Sequence, residues 1–140
     1  MERICTNLPF LVLMQTSKRV HDRIKEEMTK NKLSITEFSV LEVLYHKGRQ
    51  TIQQIGKSIL ISSGSMTYVI DKLEERGLVS RNACPDDRRA IHVLLTDQGN
   101  TVMNEIMPTY HELVSDMFGS LSDDDAETFV QLLRKVKERV

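Results

Sequence analysis

A chain of 140 residues, 40% of them hydrophobic, can bury roughly two-thirds of its unfolded surface and fold without disulfide or metal staples. Its two cysteines, Cys5 and Cys84, form no CxxC pair and no Cys/His cluster at ligand spacing, which speaks against zinc and points to a reducing, cytoplasmic setting. The formal net charge of −1 does not exclude nucleic acid, because charge is unevenly placed: residues 76–92 hold four arginines against two aspartates, whereas Ser122 to Glu127 (SDDDAE) is acidic.

The first apolar run, LPFLVLM, is too short to span a bilayer and leads into Lys18, Arg19 and His21 without a cleavage site, so no membrane partner is expected. It reads as the start of a buried helix from about Pro9 to Asn31, on the helical spacing of Phe10, Leu13, Met14, Val20, Ile24 and Met28. Ser34 and Glu37 form an S-x-x-E cap for a second helix, whose face is Phe38, Leu41, Leu44 and Tyr45 and whose stop is Gly48. A short third helix fits Ile52 to Ile59, with Ile52, Ile55 and Ile59 on one side.

ISSGSMTYVIDKLEERG reads as a fourth helix, with Ser62 and Ser63 as capping candidates and Gly77 as its stop. Met66, Val69, Ile70 and Leu73 make the inward stripe, so Gly64, Tyr68, Asp71, Lys72 and Glu75 face outward, flanked by Ser65 and Thr67. Leu78 to Arg81 and Ile91 to Leu95 are two short strands around the turn-forming cluster Pro85-Asp86-Asp87. Thr96-Asp97 caps a fifth helix with Val102, Met103, Ile106, Tyr110, Leu113 and Met117, kinked at Pro108; Ser122 and Asp125 cap a sixth with Phe129, Val130, Leu133 and Val136.

The expected fold is therefore mainly α with a small β-hairpin wing: a winged helix-turn-helix lobe plus N- and C-terminal dimerisation helices, divided as 1–32, 33–96 and 97–140. In that order the fourth helix enters a major groove and the hairpin reaches the backbone or the minor groove. Gly64 would admit a phosphate closely, Ser63, Ser65 and Thr67 supply hydroxyl donors, and Tyr68 and Lys72 are the longer arms. The apolar terminal helices exceed what the winged lobe can cover, which implies a homodimer on a palindromic operator in double-stranded DNA.

The segment PDDRRAIHVLLTDQG resembles the wing signature of MarR-type winged-helix repressors, with the family's Asp-x-Arg falling on Asp87 and Arg89 and its Leu-Thr-x-x-Gly on Leu95 to Gly99. The likeness extends through LSITEFSVLEVL, the SSGSMTYVIDKLEERGLV helix and the terminal helices. It implies that Arg89 enters the minor groove and Asp87 steadies it, with Arg88 beside them. A guanidinium suits the negative potential of a narrow groove, and a neighbouring carboxylate limits its rotamers. The resemblance also implies a small aromatic or phenolic effector, held between dimerisation helices and DNA-binding lobe. TEFSVLEVLYHKG and the Cys-Pro before the wing are most similar to the subgroup answering to quinones and hydroquinones. Met14, His21, Tyr45, Tyr110 and His111 are the candidate effector residues.

Two alternatives stand beside this reading. One is a thiol-based redox-sensing repressor using Cys5 or Cys84, for which only Arg3 offers an adjacent cation to Cys5. The other is a winged-helix protein-interaction module that never touches DNA. His21, His46, His92 and His111 lack metal-ligand spacing, and neither a nucleophilic triad nor a phosphate loop is legible, so no enzyme, catalytic residue, metal or cofactor is expected.

Overall fold

The computed structural model describes residues 7–59, 63–83, 86 and 90–140, with backbone alone at positions 63 and 64. It is mostly helical, in the order α1 (Leu8–Lys30), α2 (Ile35–Lys47), β1 (Gln50–Thr51), α3 (Ile52–Ile59), α4 (Ser63–Glu75), β2 (Val79–Ala83), β3 (Ile91–Leu95), α5 (Asp97–Met117) and α6 (Asp123–Glu138). The chain divides into two compact units, Met1–Met107 and Pro108–Val140. The boundary falls inside α5, which continues as a helix through Pro108.

The helices begin where the sequence offers side-chain acceptors for their orphan amides. Asn7 accepts from Phe10 N at 3.0 Å to open α1, while Ser34 with Glu37 and Ser122 with Asp125 form reciprocal capping boxes for α2 and α6. A third reciprocal pair precedes α3: Thr51 Oγ1 accepts from Gln54 N at 3.1 Å, and Thr51 N donates to Gln54 Oε1 at 2.9 Å.

The sheet is antiparallel in the order β1-β3-β2, with Gln50 opposite Val93 and Arg81 opposite Val93 from the other side. The sequence reading anticipated β2 and β3 but not β1, since two residues carry no alternation to detect.

The core of the first unit combines Phe38, Val40, Leu41 and Leu44 of α2, Ile55 of α3, Met66, Ile70 and Leu73 of α4, Val79 and Val93 of the hairpin, and Met103, Ile106 and Met107 of α5. In α1 only Met28 is buried. Leu8, Phe10, Val12, Leu13 and Met14 are exposed on the single chain, contrary to the expectation of a buried start. At 23 residues α1 is about 35 Å long. In the second unit, α6 leaves Phe129, Val130, Leu132, Leu133 and Val136 exposed, and the rings of Phe118 and Phe129 meet with centroids 6.1 Å apart.

A Schellman turn joins α4 to the hairpin. Gly77 sits at φ +75°, Leu78 N donates to Leu73 O at 3.0 Å and Gly77 N donates to Glu74 O at 2.9 Å. The hairpin's far end is tied to the same turn. Thr96 Oγ1 donates to Gly77 O at 2.6 Å and accepts from Gly99 N at 3.0 Å, so one hydroxyl caps α5 and anchors the α4 exit. A Cβ at Gly99 would lie 2.1 Å from Leu78 O, which explains why the Leu-Thr-x-x-Gly segment ends in glycine.

Candidate nucleic-acid interface

Helix α4 presents two chemically opposite faces. Met66, Ile70 and Leu73 are fully buried and Val69 half-buried, which fixes the helix's rotation about its axis. The residues between them, Ser65, Thr67, Tyr68, Asp71, Lys72 and Glu75, are all exposed, as their spacing required. Tyr68 stands out from the helix at 63% exposure, a large aromatic surface left in water. Lys72, one turn later, places its Nζ 5.5 Å from the Tyr68 ring centroid, within cation–π range. The two arms thus share one patch. Ser63 and Gly64 belong to the first turn of α4, but the side chain of Ser63 lies outside the described residues.

The wing ribbon consists of β2 and β3, paired from Val79–Leu95 to Ala83–Ile91. Asp86 is exposed. Asp87, Arg88 and Arg89, the tip residues singled out from sequence, lie outside the described residues, as do Cys5 and Cys84.

Of the four arginines in the basic segment, two are committed to carboxylates. Arg76 Nη1 lies 3.4 Å from Glu37 Oε2, bringing α2's capping glutamate to the end of α4. Arg81 of β2 reaches back to α4, with Nη2 2.5 Å from Asp71 Oδ1 and Nη1 2.7 Å from Glu74 Oε1. Partial burial alone would pull the Arg81 pKa down, but the hydrogen bonds it donates to Asp71 and Glu74, together with their charges, outweigh this and raise it. The sequence reading counted Arg76 and Arg81 as basic surface and missed this pairing. Its only trace in the sequence is two acidic residues three apart near the end of a helix, followed by an arginine just past the turn.

Of the five candidate effector residues, three belong to the first unit and two to the second. In the first unit, Met14 and His21 are exposed on α1, and Tyr45 is half-buried, its hydroxyl donating to Asn104 Oδ1 of α5 at 2.7 Å. Asn104 was not anticipated. His46 packs edge-on to Tyr45, with ring centroids 5.5 Å apart. In the second unit, Tyr110 is half-buried and meets His111 edge-on at 6.1 Å. Two clefts run along α1, of about 550 Å³ at Gln15, Thr16, Lys18, Arg19 and Asp22 and about 530 Å³ at Asp22, Lys25, Glu26, Thr29 and Lys30. The first is mainly polar and the second mainly apolar in its lining, and neither Met14, His21 nor Tyr45 is among their described linings. Beside the first, the hydrogen bond from Lys18 Nζ lowers the Asp22 pKa.

Among the described residues, no group of three or more His, Cys, Asp or Glu is placed to hold a metal ion, and no helix is long and apolar enough to cross a membrane.

The MarR family model matches residues 33–91, from just before α2 to the first residue of β3. The HTH-type transcriptional regulator MhqR of Bacillus subtilis is 41% identical over 91% of this chain and 88% of its own length. The transcriptional repressor MprA of Escherichia coli K12 is 26% identical over 96% of this chain and 81% of its own. Among solved structures, Bordetella bronchiseptica BpsR, whose DNA binding is regulated by 6-hydroxynicotinic acid, is 26% identical with a TM-score of 0.80 over 94% of this chain and 99% of that one. An Escherichia coli MarR mutant complexed with operator DNA has the same fold, with a TM-score of 0.82 at 22% identity over 92% of this chain and 94% of that one. With its buried α4 stripe, its hairpin tied to the α4 exit and these relatives, the chain belongs to the MarR family and is a winged-helix transcriptional regulator.

Proposed function

We propose that the chain is a homodimeric DNA-binding repressor that α4 docks into the major groove of a palindromic operator, and that a small aromatic, phenolic or quinone effector releases. The observation that carries this reading is the division of α4: three fully buried residues fix its rotation, so that Ser65, Thr67, Tyr68 and Lys72 all face outward. Hydroxyls and a lysine suit phosphate oxygens, and a tyrosine edge suits base or sugar contact. Ser63 and Gly64 belong to the first turn of the same helix, the end at which helices offer backbone amides to phosphate.

The wing contributes the second element. In the sequence Asp87, Arg88 and Arg89 fall between β2 and β3, and in this reading Arg89 enters the minor groove with Asp87 limiting its rotamers. Residues 33–96 form the DNA-binding lobe, and 1–32 and 97–140 supply the dimer interface. The exposed apolar residues of α1 and of α6 support self-association, because large unpartnered apolar faces are unfavourable in a monomer. Met14, His21, Tyr45, Tyr110 and His111 are the proposed effector contacts, and the likeness to BpsR, whose DNA binding is regulated by 6-hydroxynicotinic acid, supports a ligand-responsive mode. An effector then acts by binding one separation of the two lobes more tightly than another.

Binding to duplex DNA at two salt concentrations tests the reading. Phosphate neutralisation predicts a steep fall in affinity between about 50 and 200 mM salt. A protein-interaction module without a DNA surface would bind neither operator nor random duplex.

A further inference from the structure

Three charged side chains at the junction of helix and wing do something that the proposed DNA contacts do not explain. Asp71 and Glu74 lie about one turn apart on α4, either side of Lys72 in the sequence, and the Arg81 guanidinium of β2 spans both, at 2.5 and 2.7 Å. Its side chain is 22% exposed against 55% and 43% for the two carboxylates, so the cation is the inner partner and the anions are the outer ones. The planar fork of an arginine suits such a two-point grip, whereas a lysine ammonium is a single point charge.

Two residues beyond Arg81, β2 ends at Ala83, and the segment bearing Asp87, Arg88 and Arg89 begins. The Schellman turn at Gly77 fixes where β2 leaves α4, and Gln50 and Thr51 of β1 pair with β3 on the far side of the sheet. The Arg81 grip ties the ribbon to α4 at a second place.

On the DNA-binding reading above, we propose that Arg81 is a positioning residue for operator recognition: clamped to Asp71 and Glu74, it sets the angle between wing and recognition helix, so that the wing tip and the Tyr68–Lys72 patch meet one duplex together. The benefit is pre-organisation, since a ribbon already held at its docking angle loses less freedom on binding. The cost is local charge. Asp71 and Glu74 are acidic groups beside a surface that must approach phosphates, and the clamp retains them where a merely basic surface would have none.

That cost makes the proposal testable by sign. Removing both carboxylates in Asp71→Ala/Glu74→Ala adds two units of net positive charge, so simple phosphate attraction would tighten binding to any duplex. The clamp predicts the reverse for specific recognition. The probes are a duplex selected by the wild-type chain from a random-sequence pool and an unselected duplex of equal length, each titrated by fluorescence anisotropy with circular dichroism and thermal unfolding confirming that each variant is folded. Affinity for the selected duplex should fall about tenfold in Asp71→Ala/Glu74→Ala and in Arg81→Met, while affinity of the carboxylate-free variant for the unselected duplex stays equal or rises. Arg81→Lys should recover only part of the loss, because it restores the charge and one of the two contacts. Should Arg81→Met fail to fold, the carboxylate-free variant still decides the matter, as its substitutions favour helix α4. Undiminished binding of that variant to the selected duplex, or an Arg81→Lys equal to wild type, overturns the clamp. A wild-type chain that selects no duplex at all overturns the DNA-binding reading itself, and the positioning role with it.

Discussion

At Gly99 a single hydrogen atom decides the packing between the α4 exit and α5. A methyl group there would stand 2.1 Å from the carbonyl oxygen of Leu78, a backbone atom that cannot rotate aside. Gly99→Ala should therefore destabilise the first unit at or beyond the upper end of the ~1–3 kcal/mol typical of overpacking, measurable by urea unfolding. Thr96 acts at the same junction through its hydroxyl: Thr96→Val keeps the shape but loses both the bond to Gly77 O and the cap on Gly99 N. The expected cost is about 1–2 kcal/mol, and an unchanged midpoint would show that solvent replaces both bonds freely. Leu73, fully buried in α4, is the reference for a purely structural role, and Leu73→Ala should cost about 2–5 kcal/mol.

Among the elements, the rotation of α4 and the capping boxes of α2 and α6 were legible in the sequence, and the junctions between elements were not. The rotation of α4 followed from Met66, Ile70 and Leu73, because a helix can bury only one face and these residues recur on one face. The starts of α2 and α6 followed equally directly from Ser34 with Glu37 and Ser122 with Asp125. The two-residue β1 left no pattern, and the Thr51–Gln54 cap was hidden behind it. The Arg81 clamp was illegible for a different reason: spacing along a helix says which residues share a face, but not at what angle a hairpin crosses that face. Counting arginines over 76–92 accordingly overstated the free basic surface, since Arg76 and Arg81 each lie on carboxylates. The wing tip itself remains a matter for mutation. If Arg89 enters a minor groove, Arg89→Ala should cost about 1–3 kcal/mol in operator affinity and lower the salt slope by about one, with Arg89→Lys recovering part. Asp87→Ala should weaken binding although it removes a negative charge, and tighter binding would mark the tip as a diffuse basic patch.

For the whole molecule, the exposed apolar faces raise the question of what covers them. The sequence reading gave the terminal helices more apolar surface than the winged lobe can cover, and the single chain leaves Phe10, Leu13, Phe129 and Leu133 in water. A self-associating chain resolves this, and sedimentation equilibrium at micromolar concentration should show a dimer. Leu133→Glu, a charge set into that stripe, should shift the species towards monomer and abolish operator binding together; a monomeric wild type that still binds a palindrome would contradict the dimer.

DNA recognition by the outward face of α4 is tested most directly by one comparison, the anisotropy titration of a wild-type-selected duplex with wild type and with Tyr68→Ala/Lys72→Ala, alongside their thermal midpoints. Both side chains are exposed, so the double variant should keep a midpoint close to wild type. It should nonetheless lose on the order of 1–3 kcal/mol of affinity and about one unit of salt slope. Undiminished affinity with an unchanged slope would place the DNA surface elsewhere on the molecule.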